Sequence, residues 1–172
     1  MTGAKDRVPT VGDLREVLAQ VTDPELPFLS LADLGVLRDV RVDDRGHVVV
    51  ELTPTYSGCP ALEAMRDDVV TALAAYGCQH VEVRTVLLPA WSTDDLSEDG
   101  RRKLAAAGIA PPSGGRPVLV SLGPTRARST ALTCPQCGST QTEELSRFAA
   151  TSCQSLWRCL ACREPFPHFK AV

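Results

Sequence analysis

Two Cys-x-x-Cys pairs constrain this chain more than any other feature: Cys134-Pro-Gln-Cys137 and Cys159-Leu-Ala-Cys162. Each pair can set two thiolates on one side of a tight turn, and two such turns complete a tetrahedral site for one ion. The loop between them, residues 138–158, is slightly long for the pattern. That matters little, because closure entropy grows slowly with loop length. A bound ion would also explain how so small a segment folds. Its apolar residues are few: Leu145, Phe148, Leu156, Trp157, Phe166 and Phe169. The expectation is a four-cysteine zinc ribbon over residues 131–172, holding structural Zn2+. Two other uses of the cysteines stay open. Redox-active pairs would need a pair at a helix start in a larger α/β domain, whereas this context reads as a hairpin-like ribbon. An iron–sulfur cluster could take the same four ligands. Cys153 is left over, either a small buried residue beside the ribbon core or a fifth thiol able to meet incoming metal. His168 is expected to be an exposed aromatic.

The chain has seven cysteines, an odd number, and five of them follow residue 133. In a reducing compartment such a set points to metal or reactive thiols and away from disulfides. The polar start, with Lys5, Asp6 and Arg7, lacks the apolar core of a signal peptide. No apolar run has the length of a membrane span. The expected location is cytoplasmic, with no membrane partner. A net charge of -3 gives no reason to expect nucleic acid.

Upstream, periodicity predicts a compact α+β domain. Residues 11–21 place Leu14, Val17, Leu18 and Val21 on one helical face, with Thr10 as N-cap. Strands are predicted at Val36 to Val42 and His47 to Thr53, joined by the turn Asp43-Asp44-Arg45-Gly46. A second helix over 60–76 carries Leu62, Met65, Val69, Leu73 and Tyr76 on its apolar stripe. A third strand follows from about His80 to Leu88. Then a short helix has acids early and Arg101, Arg102 and Lys103 late, closing at Gly108. The order helix-strand-strand-helix-strand-helix implies helices packed on a small mixed sheet. The expected division is a domain over 1–108, a Pro/Gly/Ser/Arg-rich linker over 109–130, and the ribbon over 131–172.

Within Thr53-Pro-Thr55-Tyr-Ser57-Gly58-Cys59-Pro60 the chain passes from strand to helix. If Pro60 is the first helical residue, Cys59 is the N-cap. There the helix dipole and free N–H groups would favour thiolate, giving a nucleophile or metal ligand. Gly58 would allow close backbone approach, and Ser57 and Thr55 would offer hydroxyls. The alternative is a small buried residue at a strand–helix junction, and both readings stand. Cys78, after Gly77 at a helix end, reads as packing.

Asp23-Pro24-Glu25, Leu31-Ala-Asp33-Leu34-Gly35-Val36 and Thr55-x-x-x-Cys59-Pro60 resemble the small domain of SufT-type and cytosolic iron–sulfur assembly proteins, over roughly residues 10–90. The further segments Pro89-Ala-Trp91, Ile109-Ala-Pro-Pro and Cys134-Pro-Gln-Cys137-Gly-Ser, ending Glu164-Pro-Phe166 and Phe169-Lys170, are similar to the PaaD (PaaJ) family of the phenylacetyl-CoA epoxidase system. Glu25-Leu-Pro27 departs from the wider assembly family, which usually has a β-branched residue there, and Pro27 fits the epoxidase-associated subgroup.

This resemblance implies an accessory role in aerobic phenylacetate degradation. The oxygenase of that system epoxidises phenylacetyl-CoA, and an iron–sulfur flavin reductase supplies its electrons. The PaaD-like member would help mature the iron–sulfur centre, through a transient cluster, and would not itself catalyse the epoxidation. By position, Cys59 would be the reactive thiol or cluster ligand, with Thr55, Asp23 and Glu25 in the same site. The residues alone would leave Asp23 and Glu25 as a solvated turn. One thiolate cannot hold a cluster, so Cys153, a small thiol or a second subunit in a homodimer would have to add ligands. Two other classes stay in view. One is a docking subunit of the oxygenase without cluster chemistry. The other is a thiol enzyme acting on an acyl thioester, for which His47 and His80 offer no motif of a base.

Overall fold

The computed structural model describes residues 9–56, 58–112 and 132–170. The chain divides into two compact units. One comprises the chain to Trp91 with Asp95–Gly100, and the other Ser92–Asp94 with Arg101 onward.

In the first unit, helix α1 (Val11–Leu18) opens on a capping box. The Asp13 N–H donates to Thr10 Oγ1 at 3.2 Å and the Thr10 N–H to Asp13 Oδ2 at 3.0 Å. The helix is shorter than predicted. Gln20 and Val21 turn their N–H groups to carbonyls three residues back, which tightens the end out of α geometry. Strands β1 (Leu37–Val42) and β2 (Val48–Leu52) form the expected hairpin. At its turn Gly46 has φ +78, and Asp43 accepts the N–H groups of Arg45 and His47. Helix α2 (Leu62–Tyr76) then crosses over, so that β3 (Val81–Thr85) pairs parallel with β2. The sheet order is β1-β2-β3.

The α+β class and the helix-strand-strand-helix-strand-helix order are as expected. Val48, Val50 and Leu52 alternate into the core with Leu14, Leu18, Met65, Val69 and Leu73. The predicted stripe of α2 overreaches at its end, where Tyr76 is exposed. The third strand is also shorter than predicted, leaving Leu87 and Leu88 exposed beyond Thr85. Gly35 is required where it stands: φ is +67, and a Cβ there would come within 2.2 Å of the Asp95 carbonyl oxygen. Asp95 receives both terminal nitrogens of Arg38, at 2.7 and 2.9 Å.

The second unit takes up helix α3 (Glu98–Ala106) after its first turn. Gly108, at φ +77, ends the helix as predicted, and Ile109 N–H returns to Leu104 O. Strands β4 (Thr142–Ser146), β5 (Gln154–Cys159) and β6 (Pro165–Phe169) form an antiparallel sheet in the order β4-β5-β6. Ala110 adds to the edge of β6: its N–H donates to Pro167 O at 2.8 Å and its carbonyl accepts Phe169 N–H at 3.0 Å. Of the linker expected at 109–130, residues 113–130 lie outside the described residues.

The ribbon core is Ala110, Leu132, Cys134, Trp157, Cys159 and Phe166, with Phe169 also buried. Three residues expected in it are not: Leu156 is only half-buried, and two others are exposed. Leu145 is 46% exposed and Phe148 66%, because a three-stranded ribbon has one inner face and they lie off it. No helix of the described residues is long and apolar enough to cross a membrane.

Candidate metal centre and thiol site

Two tight turns build the metal centre. In the first, Gly138 N–H returns to Cys134 O and Cys134 N–H reaches Ser139 O, each at 2.9 Å. In the second, Cys159 N–H reaches Glu164 O at 3.0 Å, with Arg163 in the left-handed region at φ 69. Leu160 N–H bonds Gln141 O at 2.8 Å, tying the second turn to the segment that follows the first. All four Sγ atoms lie within 4.8 Å of one another. Between turns, Cys134 and Cys162 are 3.8 Å apart and Cys137 and Cys159 3.6 Å.

These distances are far longer than the ~2 Å of a disulfide. They match the edge of a tetrahedron with metal–sulfur bonds of about 2.3 Å, which is about 3.8 Å. A set this tight suits one ion and leaves little room for several irons with bridging sulfides. Cys134 and Cys159 are buried and Cys137 and Cys162 exposed, so the centre has an inner and an outer side. The Cys162 N–H, helped by that of Ala161, brings the Cys159 thiol down to about 6 despite its burial. For Cys162 the Glu164 N–H acts downward, yet local desolvation of the sulfur and the neighbouring sulfurs push the thiol up to about 12. Without an ion the four sulfurs therefore share protons unequally, and an ion entering the site would displace them.

Cys153 is no part of this cluster. It precedes β5 whereas Cys159 ends it, so the two are separated by the length of the strand, on the order of 20 Å. It is half-buried, with its sulfur 3.0 Å from Thr151 Oγ1. His168 is not the exposed aromatic expected. It is half-buried at β6, edge-on to Trp157 at 6.1 Å between ring centres. Trp157 Nε1 donates to Ser155 Oγ at 3.0 Å, leaving the Ser155 hydroxyl proton for His168 Nδ1 at 3.2 Å. His168 Nε2 is buried without a hydrogen-bond partner. Burial, with the charge of Lys170, lowers this imidazole to about 4.

In the first unit the cap of α2 is Ala61, in αR geometry and with no side-chain capping bond. Cys59 therefore stands two residues ahead of the cap, because Pro60 and Ala61 are spent on a turn. Cys59 N–H donates to Tyr56 O at 3.1 Å, and the Cys59 carbonyl accepts Leu62 N–H at 3.3 Å. The thiol is half-buried at the mouth of the helix. Ser57 lies outside the described residues. Thr55 is buried, as is Thr53, whose Oγ1 has no hydrogen-bond partner. Cys78 is buried, and its burial raises the thiol, as a packing residue requires.

Asp23 does not belong to a solvated turn. It is 5% exposed, and its Oδ1 accepts the N–H groups of Glu25 and Leu26, both at 2.8 Å. Burial raises its pKa against those two bonds. Glu25 is exposed on the same turn, raised by desolvation and by the Asp23 charge. Backbone bonds connect this turn to the Thr55 segment: Leu31 N–H to Val21 O, Val36 N–H to Leu31 O, and Thr53 N–H to Val36 O. The pair Asp23 and Glu25 and the pair Thr55 and Cys59 thus sit on two connected segments of one unit.

One buried acid, Asp33, stands in the assembly-like motif but was assigned no role from the sequence. Asp33 accepts both the N–H and the hydroxyl of Ser30, and the hydroxyl of Ser97. Ser30-x-x-Asp33 has the spacing of a capping box, so the signal was present.

Comparison with known proteins separates the same two regions. Residues 12–85 match the family model "Iron-sulfur cluster assembly protein", and residues 121–170 match "PaaD zinc beta ribbon domain". A domain-of-unknown-function structure from Bacillus anthracis is 30% identical, covers 55% of this chain and 90% of its own, and superposes with a TM-score of 0.52. A conserved hypothetical protein from Thermotoga maritima, also 30% identical, covers 59% and 98%, with a TM-score of 0.50. The first region is therefore an iron–sulfur-assembly-type domain and the second a PaaD-type zinc β ribbon. The "Fe-S protein maturation auxiliary factor SufT" of Staphylococcus aureus is 40% identical over 45% of this chain and 88% of that protein. An Escherichia coli (strain K12) protein, provisionally named as one of the subunits of 1,2-phenylacetyl-CoA epoxidase, is 40% identical over 95% of this chain and 94% of its own length. The chain belongs to this PaaD family.

Proposed function

We propose that this protein is an accessory factor of a phenylacetyl-CoA epoxidase system that assists iron–sulfur maturation of its reductase. The observation that supports this most is the pairing, in one chain, of an assembly-type domain with a zinc ribbon, in a sequence similar nearly end to end to an epoxidase component. Cys59 is the thiol that engages iron or a cluster in transit. Thr55 and the buried Asp23 shape the surrounding segments, and Glu25 presents a carboxylate beside them. One thiolate is not enough for a cluster, so a second copy, a small thiol or the client completes the ligand set. Cys134, Cys137, Cys159 and Cys162 hold Zn2+ as a structural ion, which closes the ribbon and leaves no open position for substrate. The working location is the cytoplasm.

Reductase co-expressed with Cys59→Ser protein should lack its iron–sulfur absorbance, while the variant keeps its fold and its zinc. Full cluster occupancy in that reductase would refute the proposal. A second reading is a docking subunit without cluster chemistry, favoured by the exposed apolar side chains Leu145, Phe148 and Leu160 on the ribbon. It predicts fixed-stoichiometry co-purification with active oxygenase that Cys59→Ser leaves unchanged.

A further inference from the structure

The chain has three histidines, and two of them meet although 33 positions separate them in sequence. His47 immediately precedes β2 and His80 immediately precedes β3. Those strands run parallel with Val48 opposite Val81, so the two histidines are cross-strand neighbours. Val48 is fully buried, and alternation turns the preceding residues to the outer face of the sheet. The imidazoles stand 4.9 Å apart between ring centres at an interplanar angle of 67°. They line a groove of about 440 Å³ that also contains Asp43, Gln79, Glu82 and Arg84.

The acids around the pair are already assigned in a telling way. Arg84 occupies both oxygens of Glu82, at 2.7 and 2.9 Å. Asp43 is held by the hairpin turn through Oδ1, and its Oδ2 lies 3.2 Å from His47 Nδ1. A carboxylate there keeps the proton on Nδ1 and leaves the Nε2 lone pair available, which is how metal-ligating histidines are oriented.

We propose that His47 and His80 form an open two-histidine site for a divalent transition cation such as Zn2+ or Ni2+, with Asp43 as the positioning carboxylate. The two imidazoles fill neighbouring positions on the ion, at metal–nitrogen distances of about 2.0–2.1 Å, and water completes the shell. Such a site is weaker than the four-thiolate centre and exchanges its ion readily. It stands apart from that centre in sequence and uses no cysteine, so it holds or fails independently of the role proposed for Cys59.

The test uses the full chain already carrying one Zn2+ equivalent, titrated with further Zn2+ by calorimetry. A second equivalent should bind. His47→Gln and His80→Gln should each weaken it about tenfold or more, and Asp43→Asn about tenfold, the usual cost of losing an orienting partner. In the unaltered zinc-loaded protein, substoichiometric Ni2+ should broaden the NMR signals of His47, His80 and their neighbours first. A second equivalent that is absent, or that keeps its affinity in both histidine variants, overturns the proposal. So does broadening centred anywhere else in the chain.

Discussion

Leu52 and Cys159 occupy equivalent places. Each ends the central strand of a three-stranded sheet and each is fully buried, yet they hold their units together by different physics. Leu52 belongs to a continuous aliphatic core, with Leu14, Leu18, Val48, Val50, Met65, Val69 and Leu73 drawn from two helices and the sheet. Each of those side chains contributes about 1.5–3 kcal/mol by leaving water. Cys159 sits in a core of six residues, of which two are themselves cysteines of the metal centre. The ribbon has traded apolar bulk for coordination. One unit is stable by the sum of many small burials and the other by a single centre, so the two should fail under different insults.

Metal removal should show the largest contrast. Structural zinc is worth about 10–16 kcal/mol to a small zinc module, nearly all of it folding free energy. Chelation, or Cys134→Ser, should collapse amide protection over residues 132–170 and leave β1, β2, β3 and α2 protected. Hydrogen exchange read by NMR would check this. Loss of protection in both units together would break the comparison, and retention in both would show that the ribbon core suffices alone. The converse insult is smaller. Leu52→Ala should destabilise the first unit by about 2–5 kcal/mol through the cavity it leaves, while the metal content of the ribbon stays unchanged. Denaturant unfolding followed alongside metal analysis separates the two effects.

Elements with strong local signals were legible in the sequence. The Thr10 cap, the Gly46 turn, the alternation of Val48, Val50 and Leu52, and the Gly108 stop all rest on chemistry within a few residues, and all stand in the structure. The four-cysteine set was legible for the same reason, since each turn is encoded by its own Cys-x-x-Cys. Misreadings arose where the deciding partner is remote or the local code is degenerate. Pro60 can open a helix or precede its cap, and here it precedes it, which moved Cys59 off the capping position. Asp23 looks like surface, because its burial depends on Leu29 and Leu31 folding back over residues 21–23. Leu145 and Phe148 look like core, because composition cannot show that a ribbon has only one covered face. His168 was misplaced because its surroundings, Ser155 and Trp157, come from the neighbouring strand.

That misplacement supplies the smallest and sharpest test. The His168 imidazole is lowered to about 4 in the folded chain, chiefly by burial, whereas an unfolded chain offers about 6.5. As pH falls, the unfolded chain takes up this proton first. The stability contributed by the neutral ring is therefore present above pH 6.5 and is lost progressively down to about pH 4. Between pH 7 and pH 5 the loss amounts to about 2 kcal/mol from this one group. Acid also competes with the ion for the four thiolates, so wild-type stability alone would mix two causes. His168→Phe separates them, since it keeps an apolar ring beside Trp157 and leaves all four cysteines in place. The variant should lose less ribbon stability than the wild type between pH 7 and pH 5, at equal zinc content. Parallel pH profiles for the two proteins would mean that the metal centre alone governs the ribbon, and that the aromatic end of β6 adds nothing to its response to acid.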